Sequence, residues 1–113
     1  MNDLERHVIQ QILTVEAADF SELTTQLSQL AVVSRHATGV GVYTNFSPTA
    51  DLEPCHSCPS VMRLGQHVVA YIGAKESLGG FVLYVDDGII TTLEGYIYEG
   101  QWPDDALQHF RLH

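Results

Sequence analysis

The order of patterns along the chain predicts an α+β fold, an N-terminal helical hairpin packed on one face of an antiparallel sheet of about five strands. Apolar residues recur at helical spacing up to Leu30, and beyond it the period falls towards two. Helices first and strands afterwards is the order of a layered α+β domain. A chain of 113 residues fits one domain: the hairpin over residues 1–30, the sheet over 31–98, and a tail with a short helix over 99–113.

Between Asp3 and about Val15, Leu4, Val8, Ile9, Ile12 and Leu13 share one helical face. After a break at Glu16-Ala17-Ala18, Asp19 and Glu22 have capping-box spacing, and Leu23, Leu27 and Leu30 continue a second stripe. Val32-Val33 and Val40 to Thr44, on either side of a Thr38-Gly39 turn, open the sheet. Residues 45–59 hold three of the four prolines and are expected to form the longest loop. Residues 61–64, 67–72, 80–85 and 89–98 supply further strands, with Asp86-Asp87-Gly88 as a hairpin turn between the last two. The run 81–85 is apolar throughout and is expected to be covered on both faces. In the strand after it, alternation assigns Ile89, Thr91, Leu93 and Ile97 to the core face and Ile90, Thr92, Glu94, Tyr96 and Tyr98 to the other. Pro103-Asp104-Asp105-Ala106-Leu107 places proline and acids in the first turn of a short helix.

The formal net charge is −9, with only 5 Lys and Arg residues. Such a chain repels phosphate backbones and anionic bilayers, which argues against nucleic acid and membrane as partners. The opening Met-Asn-Asp-Leu-Glu-Arg lacks the basic and apolar regions of a secretory signal, and no apolar run reaches membrane-spanning length. The expected location is the cytoplasm, where Cys55 and Cys58 are expected as reduced thiols unless they hold a metal or do redox chemistry.

Pro54-Cys55-His56-Ser57-Cys58-Pro59 is the sharpest local motif. Cys55 and Cys58 have the spacing to chelate one zinc ion, with His56 as a third donor, but a closed site needs four ligands and no second C-x-x-C exists. His36, His67 or another molecule would have to complete it. A thioredoxin-like role calls for a helix N-terminus at the first cysteine, where this chain has a proline-rich loop. The expectation is no cofactor, with zinc as the alternative. No G-x-S-x-G or H-E-x-x-H pattern organises the 6 histidines for catalysis, so an enzyme is not expected. Gly39-Val-Gly41 and Gly79-Gly80 are not followed by the helix a phosphate loop requires. Asp86-Asp87-Gly88 and Asp104-Asp105 lack the spacing of a calcium loop.

What remains is one-signed charge. Glu76, Asp86, Asp87, Glu94, Glu99, Asp104 and Asp105 follow Lys75 with no Lys or Arg before Arg111. Among them stand Tyr96, Tyr98 and Trp102, residue types that anchor protein interfaces. Asp86, Asp87, Glu94, Tyr96, Tyr98, Glu99, Trp102, Asp104 and Asp105 are therefore the candidate partner-binding residues, and the partner they suit is a basic protein. Exposed aromatics could also make a homodimer.

Asp19-Phe20 leading into Glu22-Leu23-x-x-Gln26-Leu27, then Pro54-Cys55-x-x-Cys58-Pro59-Ser60, then Val85-Asp86-Asp87-Gly88 with Leu93-Glu94-x-Tyr96, resembles a widespread group of small uncharacterised bacterial proteins. Some members of that group are similar to immunity proteins that accompany contact-dependent or polymorphic toxins, in which small acidic domains neutralise basic nuclease toxins. The resemblance implies a cognate toxin domain as partner. It carries over only the turn at Asp86 to Gly88 and the strand at Leu93 to Tyr96, and no contact residues.

Overall fold

In the computed structural model, which describes residues Met1–His113, the first apolar stripe forms helix α1 (Asp3–Glu16). It starts in a capping box made by Asn2 and Glu5. The Asn2 side chain accepts from the Glu5 N–H at 2.8 Å, and the Glu5 carboxylate accepts from the Asn2 N–H at 2.9 Å. The box expected at Asp19 and Glu22 does not form: helix α2 (Ser21–Gln26) starts at Phe20 without a side-chain cap. It is 6 residues long, tightens into a 3₁₀ turn at Leu27–Gln29 and gives way to strand at Leu30. The second arm of the expected helical hairpin is therefore present but short, and not α-helical to its end. At the change stands Gln26, whose buried side chain donates to the carbonyls of Gly88 (2.7 Å) and Glu53 (3.1 Å) and accepts from the Ile90 N–H (3.0 Å). A single amide thus fastens the helix to the long loop and to a hairpin turn, with its own polar atoms satisfied.

The fold is α+β, and its sheet has seven antiparallel strands rather than about five. They are β1 (Leu30–Ala37), β2 (Gly41–Pro48), β3 (Val61–Leu64), β4 (Val69–Ile72), β5 (Ser77–Asp86), β6 (Ile89–Ile97) and β7 (Phe110–Leu112). The order across the sheet is β1-β2-β6-β5-β4-β7, and β3 joins the same edge of β5 as β4, opposite residues 83–86 while β4 lies opposite 77–80. The two arms of the Thr38-Gly39 hairpin are strands as expected, and the strand that the sequence pattern did not indicate is β7, from the tail. Residues 104–109 make turns instead of the expected short helix, because the Asp105 carboxylate caps the Ala74 N–H (3.0 Å) and the His109 carbonyl accepts from Gly73 (2.7 Å). Those two bonds aim the chain back along β4 as β7.

One face of the sheet is covered by helix. Val8, Ile9 and Ile12 of α1 and Leu23 of α2 are fully buried against Ile72, Leu83, Val85 and Ile90. Strand β5 departs from the expectation of burial on both faces: Phe81, Leu83 and Val85 are buried, while Val82 and Tyr84 between them are half-buried. The face assignment of β6 also changes. Tyr84 pairs with Thr92 but Val85 pairs with Ile90, so Thr91 is the extra residue of a β-bulge. The bulge reverses the alternation, bringing Ile90 into the core with Leu93 and Ile97 and leaving Ile89 opposite Asp86 on the other face.

Cys55 and Cys58, expected as free thiols, are joined as a disulfide. The Cys58 N–H bonds back to the Cys55 carbonyl, and the turn brings the two Cα atoms to 5.5 Å, within bridging range. In this state neither sulfur is a thiolate ligand for zinc. No three His, Cys, Asp or Glu residues converge as a metal-holding group, and no helix is long and apolar enough to cross a membrane.

Candidate functional site

The second face of the sheet carries no helix, and alternation decides what it displays. Every one of the 5 tyrosines of the chain lies on it: Tyr43 on β2, Tyr71 on β4, Tyr84 on β5, and Tyr96 and Tyr98 on and just after β6. Glu94 sits among three of them, Tyr43, Tyr84 and Tyr96. It is the cross-strand partner of Tyr43 on one side and of Val82 on the other, and its Oε1 accepts from the Tyr84 hydroxyl at 2.7 Å. Tyr96 and Tyr98 meet edge to face with centroids 5.7 Å apart. Gly80 makes room for them, since a Cβ there would lie 2.7 Å from the Tyr96 hydroxyl and 2.9 Å from that of Tyr98. Tyr98 and Leu78 stay largely open to solvent beside Glu99.

The carboxylate sets the electrostatics of the face. Tyr84 is pushed up to about 12, first by its hydrogen bond to Glu94, then by partial burial and the charge of Glu94. Tyr43 is raised chiefly by its interaction with the same carboxylate, and Tyr96 by burial and then by the neighbouring Tyr98 and Glu94. The phenols therefore remain protonated donors at neutral pH, around one negative charge.

The nine candidate residues of the acidic segment do not form one site. Glu94, Tyr96 and Tyr98 share the open face, with Glu99 at its end. Asp86 borders it, paired with Arg63 at 3.0 Å and accepting from the Thr91 hydroxyl. Asp87 lies at the tip of the β5–β6 turn, left-handed at φ 52 ahead of Gly88 at φ 77, as a type I′ turn requires. Trp102 is on the opposite side, against Gly95 on the helix-covered face. Asp105 is engaged by Ala74, and Asp104 beside it is exposed. In the cysteine loop His56 is exposed. Sequence reading passed over Tyr43, Tyr71 and Tyr84. Their signal was present as hydroxyl-bearing rings alternating with aliphatic residues, and it was hidden at Tyr84 by treating the whole 81–85 run as buried.

A smaller cleft of about 140 Å³ opens on the helix side between Leu4, Val42, Phe81, Leu93, Trp102 and Leu107. Glu5 lies at its end, 5% exposed, and receives two bonds from Arg35 at 2.9 Å, one from the Thr44 hydroxyl at 2.7 Å and the capping bond from Asn2. A carboxylate so fully engaged positions α1 on β1 and β2, and has no lone pair left for a ligand.

No family model, curated protein or solved structure matches this chain. On its own surface, the open tyrosine face with Glu94 is an arrangement that the core does not use.

Proposed function

We propose that this chain is a small acidic binding protein, an immunity or antitoxin-type inhibitor that neutralises a basic, nuclease-like toxin by occluding its surface. The observation that supports this is the uncovered sheet face, with 5 tyrosines and Glu94 on a chain of net charge −9. Tyrosines supply rigid contact area at small entropic cost, and carboxylates take the place of substrate phosphates against a basic surface. Long-range attraction makes association fast and salt-sensitive. Glu94, Tyr96, Tyr98 and Glu99 are the binding residues in this reading, while Trp102 and Asp105 hold the scaffold. The proposed setting is the cytoplasm.

The test is co-purification of the tagged chain with the product of its neighbouring gene, at low and then high salt. The expected result is a stoichiometric complex with a basic protein whose toxicity disappears on binding. Reversing charge at Glu94 and Glu99 should weaken it by an order of magnitude or more, roughly. No complex at either salt, or unchanged affinity and salt dependence after charge reversal, would overturn the reading.

A further inference from the structure

The open face shows twice over how it holds an arginine. Arg63 lies over the Tyr84 ring, 4.5 Å from its centroid, while its Nη1 bonds Asp86 at 3.0 Å. Arg111 lies over Tyr71 at 4.2 Å while its Nε bonds Glu76 at 2.9 Å. In each case a flat guanidinium rests on a phenol ring with its edge turned to a carboxylate, an arrangement that a lysine ammonium cannot copy.

Glu94 has the same surroundings without the cation. Tyr43 stands across the strand pair from it, Tyr96 is two positions along the same face, and no salt bridge reaches it. The other basic residues are committed or distant: Arg35 pairs with Glu5, Arg6 bonds the Met1 carbonyl on α1, and Lys75 lies in the turn between β4 and β5. Oε1 of Glu94 takes the Tyr84 hydroxyl at 2.7 Å, the Tyr43 hydroxyl also interacts with the carboxylate, and both of these partners are neutral. Glu94 is half-buried, so the residue stays within reach of solvent.

We infer that Tyr43, Glu94 and Tyr96 form a guanidinium site, in which an arginine of the bound protein stacks on the rings and donates to the Glu94 carboxylate. Tyr98, edge-on to Tyr96, stiffens one wall. The phenols are neutral at physiological pH, so the charge the arginine meets among these three residues is that of Glu94. This deepens the inhibitor reading and rests on the open face being the binding surface.

The test uses the whole chain with hexa-arginine and hexa-lysine peptides of equal charge, followed by the ring resonances of the tyrosines in NMR and by calorimetry. Saturable shifts at Tyr43 and Tyr96 are expected, with several-fold tighter binding of the arginine peptide. Glu94→Gln should remove that preference, whereas Asp104→Asn should keep it. Equal affinity for the two peptides, a preference that persists in Glu94→Gln, or shifts confined to Tyr71 would overturn the site. Concentration-dependent shifts of the same rings without peptide would overturn it too, by showing that a second copy occupies the face. The two readings fail separately: a toxin complex that forms through this face without an arginine at Glu94 sinks the guanidinium site alone. Arginine-selective binding with no toxin partner sinks the inhibitor alone.

Discussion

Glu5 is nearly out of water, and burial by itself would raise its pKa. Hydrogen bonds from Arg35, Thr44 and the Asn2 N–H, with the charge of Arg35, outweigh that and hold the carboxyl below the usual 4.5. On acidification the unfolded chain takes up this proton first. The stabilisation from Glu5 is thus complete above the usual 4.5 and is lost as pH falls through the lower folded value. Glu5→Gln should cost on the order of 2 kcal/mol at neutral pH in urea unfolding, and should flatten the acid limb of the stability profile. An unchanged acid limb would mean that Arg35, which is half-exposed, exchanges Glu5 for water at no cost. Tyr84 has the opposite sign. Held at about 12 against the usual 10.0, it contributes stability that is complete below the unfolded value and is lost as pH rises towards the folded one. In a tyrosinate absorbance titration Tyr84→Phe should remove the last step, and Glu94→Gln should move that step to lower pH.

At the scale of elements, Gly95 shows how β6 supports both faces. A Cβ on it would lie 2.9 Å from Trp102 Cη2 and 3.1 Å from Phe81 Cε1. Gly95→Ala should therefore displace the indole, cost about 1–3 kcal/mol and shift the emission of the single tryptophan. An unshifted spectrum at full stability would show that the ring is held elsewhere. Most elements were legible where a local pattern is also the tertiary one. The apolar stripe of α1, the Thr38-Gly39 and Asp87-Gly88 turns, and the runs that became β3 to β6 needed only periodicity and turn chemistry. What escaped had long-range causes. Helix α2 stops where Gln26 bonds Gly88 and Ile90 far along the chain. The face of Ile90 depends on a bulge that only pairing with β5 reveals. Strand β7 exists because Asp105 and His109 bond the turn after β4. The acidic segment was visible as a charge pattern, yet whether Trp102 shares a face with Tyr96 is a matter of topology.

For the whole molecule, the division of labour follows the two faces of one sheet. The helix side holds the core and the satisfied Glu5, and the other side leaves the rings and Glu94 uncovered. The same sheet has a far edge at β4, which β7 pairs through Ile72, Tyr71 and Ala70, with the His113 N–H closing on the Val69 carbonyl. Deleting residues 110–113 should lower the melting temperature and produce aggregates in size-exclusion chromatography, since it bares the backbone of β4 and uncovers core beneath Phe110 and Leu112. A monomeric, equally stable truncation would show that β4 protects itself. During synthesis the consequence is one of timing. Strand β4 emerges from the ribosome well before β7, and until β7 has followed it out the nascent sheet presents an unpaired edge to every other chain nearby.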